Sequence, residues 1–175
     1  MLPPSYVQTV RAKVGNDLLM LSSASVMLFD DKRQLLLAQN AESWLWMTVG
    51  GAIEPDETPA DAAVRECWEE TGMLIEPTAL LGVFGGPAFR INYPNGDTAS
   101  YIVTVFEARW IAGEARPDGR ETSALRFVSR DEARALPMSA ATKELVSRVF
   151  DRNETKTPYF ARPTWRPNIS GASEL

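Results

Sequence analysis

The chain has 175 residues, of which 45% are hydrophobic and 23% charged, and a formal net charge of -5. That length suits one domain with a buried core, and the composition is ordinary globular usage. The acidic balance argues against binding large nucleic acids, because there is no basic excess to displace counterions, but a cation-bridged anionic substrate is allowed. No histidine is present and Cys67 is the only cysteine. An intrachain disulfide, a Ser-His-Asp triad and a His-ligated zinc site are therefore excluded.

The first residues lack a basic stretch followed by an apolar one. Leu18 to Leu28 is broken by three serines and is too short to span a bilayer. A lone cysteine suits a reducing compartment, so a cytoplasmic protein without a membrane partner is expected.

Ser5 caps a short helix over Tyr6 to Lys13 that stops at Gly15. Leu18 to Phe29 reads as a strand, Asp30 to Lys32 as a turn, and Gln34 to Ala38 as a second strand. Ala41 to Trp46 reads as a loop, and Gly50-Gly51 marks a sharp turn or a close approach. Thr58 is a good N-cap with Pro59 at the first helical position, Asp61 in a capping-box-like place and Gly72 as the stop. Leu74 to Tyr93 alternates apolar segments around Gly85-Gly86-Pro87. Pro94 to Asp97 is a hairpin turn, and Tyr101 to Trp110 is the return strand. A polar loop spans Gly113 to Arg120, with a short strand from Ala124 to Val128. Ser129 or Asp131 opens a helix to Ala135, and Ser139 caps a last helix to about Phe150. The domain organisation expected is a helical extension over residues 1–17, a main domain over 18–150 and a proline-containing tail over 151–175. The tail reads as extended, either disordered or laid across the domain or a partner. Its Arg162, Trp165 and Arg166 read as surface packing or as a partner contact.

On a helix from Pro59 to Thr71, Ala60, Val64, Cys67 and Thr71 gather on one side with Trp68 at the edge, and Glu66, Glu69 and Glu70 on the other. The like-charge pairs Glu66–Glu69 and Glu66–Glu70 cost about 0.2–0.5 kcal/mol each unless relieved, and Arg65 can pair with Glu69. Such a face is either a solvated acidic surface or a site for a hard divalent cation.

From Gly51 the sequence runs GAIEPDETPADAAVRECWEETGM. It resembles the Nudix box, G-x5-E-x7-R-E-U-x-E-E-x-G-U, with Gly51, Glu57, Arg65, Glu66, Glu69, Glu70 and Gly72 on the fixed positions. Cys67 and Met73 stand at the loose apolar ones. With residue frequencies of roughly 5–7%, seven such matches arise by chance about once in 10⁸ starts. The likeness extends over about Leu18 to Phe150. It implies an α/β fold, an α/β/α sandwich with a mixed sheet. It also implies water attack on the diphosphate linkage of a nucleoside diphosphate joined to another moiety, a nucleotide-like small molecule.

The resemblance implies Mg2+ as cofactor, with Mn2+ as an alternative, held by Glu66, Glu69, Glu70 and the Gly50 carbonyl. Glu66 is also the expected base, while Arg65 and Glu57 orient the acidic side chains. Glu121 is either a further carboxylate supplied by a loop outside the box or an exposed loop glutamate. Two departures stand out: Val49 where many members have proline, and Asn40 where relatives often have arginine. Trp44, Trp46, Phe84, Phe89 and Tyr93 flank the expected cleft, with core packing the expected role of each and base stacking the alternative. Cys67 reads as a small core residue rather than a nucleophile. A homodimer is compatible with this reading. So is a sensor of the same fold that binds a nucleotide without turning it over; an isoprenoid-diphosphate isomerase is disfavoured by the missing histidines.

Overall fold

The apolar run near residue 20 forms β1 (Leu19–Leu28), and its partner comes from far along the chain. It lies parallel to β7 (Thr98–Gly113), in register from Leu19 opposite Ala99 to Leu28 opposite Ala108. On its other side β4 (Val49–Ala52) pairs antiparallel, with Ser25 opposite Gly50 and Ala24 opposite Gly51. Strand β5 (Met73–Phe84) pairs antiparallel with β7, giving the order β4-β1-β7-β5, and β6 (Arg90–Asn92) pairs with β7 through the hairpin at Pro94 to Asp97. This sheet is mixed, as expected. A second, antiparallel sheet has β2 (Leu35–Asn40) between β3 (Trp46–Met47) and β8 (Thr122–Val128). The computed structural model describes residues 5–150 and 157–164. Trp165 and Arg166 lie outside the described residues.

Two apolar clusters make the layers. On one side Ala24, Val26, Leu28, Leu36, Ala38 and Val49 meet Ala62, Ala63 and Cys67 of α2 (Pro59–Thr71). On the other side Met27, Leu35, Leu37, Val103 and Val105 meet Ala133 of α3 (Arg130–Ala135) and Leu145 and Val146 of α4 (Ala140–Phe150). Strand β2 feeds alternate residues to the two clusters, as the period of two requires. The result is an α/β/α sandwich. Val49, which stands where many members of the resembled family have proline, is buried and packs in the first cluster.

Local signals set the helix ends. Thr58 accepts from the Asp61 N–H at 3.2 Å and Gly72 takes the left-handed conformation (φ 68°) that ends the helix. The Asp61 carboxylate accepts from the Thr58 hydroxyl at 2.6 Å rather than from the cap's backbone, so only half of the expected capping box forms. Ser129, not Asp131, caps α3, reciprocally with Glu132. The first helix, α1 (Tyr6–Val14), has no buried residue; Arg11 holds it down by donating to the carbonyls of Gly15, Asp17 and Thr98. No helix among the described residues is long and apolar enough to cross a membrane.

The described part of the tail lies across the free edge of β5. Tyr159 donates its N–H to the Leu81 carbonyl at 2.8 Å, its carbonyl accepts from Val83 at 3.2 Å, and its ring stacks on Phe84 with centroids 4.9 Å apart. A paired edge is protected from pairing with another chain. Tyr159→Ala should lower the unfolding free energy by about 1–2 kcal/mol in urea titration, whereas Phe160→Ala should leave it unchanged. The contrast follows from position, since Phe160 is 71% exposed.

Candidate active site

The acidic helix does not separate into a packing face and an opposed anionic face. The residues buried against the sheets are Ala62, Ala63, Cys67 and Thr71; Ala60 and Val64 are only half-buried, and Trp68 is 52% exposed. Glu66 and Glu70 fall between the buried positions and turn inward, over β4. Small side chains bring the helix close to the sheet, and glycine on β4 leaves room for carboxylates. A Cβ at Gly51 would lie 2.5 Å from the Glu66 carboxyl carbon. At Gly50 (φ 143°) a Cβ would lie 2.2 Å from the Ala24 carbonyl oxygen, so this residue is what lets β4 rest on β1.

Arg65 organises the cluster. It grips Glu57 with two parallel bonds, Nε to Oε1 at 2.8 Å and Nη2 to Oε2 at 2.9 Å. Its Nη1 donates to Glu66 Oε1 at 2.8 Å and to Glu69 Oε2 at 3.1 Å, and Nη2 also reaches the Ala52 carbonyl at 3.0 Å. All five guanidinium donors are thereby used. The expected Glu69 contact is one among these, and the pairing with Glu57 is the closer one. The hydrogen bond from Arg65 holds Glu57 below the usual carboxylate range, against burial, with help from the Glu54 N–H. Glu57 in turn pushes the Arg65 guanidinium up.

Burial raises Glu66; Arg65 opposes this, and the charges of Glu69 and Glu121 add to it. Glu70 is pushed up to about 8, by burial first and then by the charges of Glu66 and Glu121; the Gly50 N–H opposes the shift and Asp118 adds to it. The charges of Glu66 and Glu121 thus act on Glu70, and that of Glu121 on Glu66 as well. Glu69 stands apart, exposed and tied to Arg65. Gly50 meets the cluster through its N–H. Cys67 is fully buried and burial pushes its thiol up to about 11, as a core residue requires.

Glu121 is positioned by a loop that sequence reasoning left without a role. Arg116 and Asp118 donate backbone N–H groups to the carbonyls of Thr71 (2.8 Å) and Glu70 (3.2 Å), wrapping residues 114–121 around the end of α2. Desolvation pushes the Asp118 carboxyl up, but the N–H groups of Thr122, Arg120 and Glu121 outweigh it and hold the group below its ordinary value. The signal for it was the Pro117-Asp118-Gly119 turn. Asn40 folds its own loop, accepting at Oδ1 from Glu42 and Ser43. Of the flanking aromatics, Phe84 and Phe89 are buried and Trp46 packs against the core, but Trp44 is 63% exposed, and Tyr93, 38% exposed, bonds Tyr101 through its hydroxyl at 2.7 Å.

The donor chemistry fits a hard divalent cation. Every donor is an oxygen, and clustered like charges that raise one another's pKa are relieved by a positive ion. Among the described residues no three acidic side chains stand together closely enough to hold a metal ion.

Two outcomes follow. Gly51→Ala should fold with a near-normal melting temperature but lose about 10² in rate, because its methyl displaces only the flexible end of Glu66. Gly50→Ala, which collides with backbone, should lose about 2–4 kcal/mol of stability. In chelator, the raised Glu70 makes the folded state hold an extra proton between 4.5 and about 8. That contribution is full below 4.5 and is lost as pH rises through about 8. Glu57, lowered, acts oppositely: its contribution is present above 4.5 and is lost as pH falls through its folded value. Calorimetry in EDTA should therefore show the melting temperature falling from pH 5.5 to 8.5, and Glu70→Gln should flatten that slope.

Known proteins carry the same arrangement of sequence. The NUDIX domain family model matches residues 20–149. A MutT-like protein of Streptomyces ambofaciens is 32% identical over 111 residues, covering 63% of this chain and 64% of that one. A Bacillus subtilis (strain 168) protein, whose name proposes 8-oxo-dGTP diphosphatase activity, is 33% identical over 106 residues, covering 61% and 64%. Human diphosphoinositol polyphosphate phosphohydrolase 3-alpha is 36% identical over 87 residues, covering 48% and 51%. The chain thus spans between half and two thirds of these relatives' lengths. The crystal structure of a MutT protein from Methanosarcina mazei Go1 shares the fold with a TM-score of 0.62 at 20% identity, covering 78% of this chain and 99% of that one. A UDP-X diphosphatase structure does so with 0.60 at 22%, covering 82% and 69%. A family match over residues 20–149, with the Arg65-centred carboxylate site inside it, places the chain in the Nudix family.

Proposed function

We propose that this protein hydrolyses the diphosphate linkage of a nucleotide-like substrate in a magnesium-dependent reaction. The observation that carries the reading is the inward turn of Glu66 over Gly51, where Arg65 fixes it, with Glu70 buried beside it. A solvated acidic surface has no reason to turn its carboxylates inward or to assign four of an arginine's five donors to them. Relatives named for 8-oxo-dGTP and for diphosphoinositol polyphosphates are consistent with a diphosphate substrate.

Glu66 and Glu70 would hold the cation, with Glu69, Glu121 and the Gly50 carbonyl as further oxygens that the bound ion would have to draw in. When bound, magnesium neutralises phosphate charge and lowers the pKa of a coordinated water. In the reaction water attacks one phosphorus, the bond to the bridging oxygen breaks, and that oxygen leaves on the departing phosphate. Glu66 is the proposed base. Its Oε1 is held by Arg65, which leaves Oε2 for the water's proton. Arg65 and Glu57 keep that carboxylate in one orientation and touch no reacting atom.

The test is a magnesium-dependent hydrolysis screen over nucleoside triphosphates including 8-oxo-dGTP, ADP-ribose, nucleotide sugars, dinucleoside polyphosphates and diphosphoinositol polyphosphates. Glu66→Gln should reduce the rate on the active substrate by about 10²–10⁴. Glu121→Gln should raise the magnesium concentration needed for half-maximal rate. Full activity of Glu66→Gln removes that residue as base, and absence of turnover with magnesium or manganese overturns the hydrolase reading.

A further inference from the structure

The first helix is held in place without burying a side chain. None of the nine residues of α1 is buried, and a helix that short is marginal on its own. Polar ties at its two ends hold it instead. Toward its C-terminus Arg11 donates to the carbonyls of Gly15, Asp17 and Thr98 and pairs with Asp97 at 3.6 Å. Asn16, just past the helix, donates Nδ2 to the Asn95 carbonyl at 3.3 Å. These contacts clamp α1 to the hairpin between β6 and β7. At its N-terminus the Tyr6 N–H, a first-turn donor with no partner inside the helix, meets the Glu54 carboxylate at 3.0 Å. Helix α1 therefore reaches from the hairpin to the loop that precedes α2.

That loop is strained and is gathered at Glu54. Asp56 takes a left-handed backbone (φ 66°), which residues other than glycine seldom adopt. Glu57 returns its N–H to the Glu54 carbonyl at 3.2 Å, and the Glu54 N–H donates to Glu57 Oε2 at 3.1 Å. The same Oε2 accepts from Arg65 Nη2 at 2.9 Å, and Arg65 Nη1 holds Glu66 at 2.8 Å. A continuous run of hydrogen bonds thus leads from the N-terminus of α1 through Glu54, Glu57 and Arg65 to Glu66.

Resting on the hydrolase reading above, we propose that α1 is a brace and Glu54 a positioning residue, which together hold the Glu57–Arg65 pair, and through it Glu66, in working orientation. Glu54 touches no reacting atom. Its carboxylate, tied to α1, anchors its own backbone, and the backbone N–H then meets Glu57 at a fixed place. A loop free to relax at Asp56 would carry Glu57 away from Arg65 and let Glu66 swing. At saturating magnesium the loss falls on kcat, because a misplaced base slows proton removal without loosening the substrate.

The test uses the full chain and two readouts. The first needs no ligand: exchange of the Arg65 Nε–H proton with water, followed by NMR on isotope-labelled protein. The second is steady-state hydrolysis, at saturating magnesium, of the compound turned over in the screen above, 8-oxo-dGTP first. Tyr6→Pro removes the tying N–H and spares the helix, since proline is favoured at the first helical position and Ser5 before it is already extended (ψ 162°). Glu54→Ala removes the acceptor, and Glu54→Gln keeps an oxygen that can accept. Tyr6→Pro and Glu54→Ala should each speed the exchange and lower kcat about fivefold, the worth of one hydrogen bond, with KM unchanged. Glu54→Gln should recover most of that loss, and the double variant should be no slower than either single one. Unchanged exchange in Tyr6→Pro overturns the brace. So do rate losses that add in the double variant, since two separate disturbances would then be at work. Tyr6→Ala loses the ring and keeps the N–H; if it is as slow as Tyr6→Pro, the role of the N–H is overturned. Quickened exchange in Tyr6→Pro, in a protein that hydrolyses none of the screened compounds, supports the hold on Arg65 and overturns only the hydrolase reading.

Discussion

The guanidinium of Arg65 is the constraint on which the site depends. Five donors meet three glutamates and one backbone carbonyl, so the group joins the loop before α2, the helix itself and strand β4. A lysine has three donors and no planar fork, and would leave at least two of these acceptors without their partner. The arrangement also settles an electrostatic problem. Carboxylates crowded over a sheet repel one another and resist burial. One permanent cation among them holds Glu57 down and opposes the rise that burial causes in Glu66, while Glu70, which it does not touch, is pushed up to about 8.

Glycine supplies the other half of the design. Without a side chain, Gly50 lets β4 lie against β1, and Gly51 leaves the volume that the Glu66 carboxylate fills. Helix α2 matches this with alanine and cysteine where it touches the sheets. Close approach of backbone to backbone is thus what puts acidic side chains within reach of one another. The apolar clusters above and below fix that distance rigidly, because interiors packed to crystal-like density transmit displacement rather than absorb it.

Much of this was legible in the sequence, and the parts that were not share a cause. Thr58, Pro59 and Gly72 bound the helix where expected because caps are local chemistry. The box residues were legible because their spacing is fixed. The inward turn of Glu66 and Glu70 was missed because a helical wheel weighted by hydrophobicity assigns carboxylates to solvent; only the opposing glycines reveal the space for them. The parallel pairing of β1 with β7 has no local signal, since it joins residues 80 positions apart. Asp118 escaped for a related reason. Its surroundings are made by a loop whose course follows from distant strands.

That long-range pairing has a consequence for the order in which the protein comes into being. All the box residues have been synthesised by residue 73, yet β1, on which β4 and α2 rest, lacks its parallel neighbour until β7 is made. Glu121 arrives later still. Strand pairing across such a separation requires closing a large loop before any contact rewards it, which slows folding. A nascent chain halted near residue 75 would hold every glutamate of the box and no platform to converge on. The acidic helix is therefore an early segment that finds its place only when a late one is made.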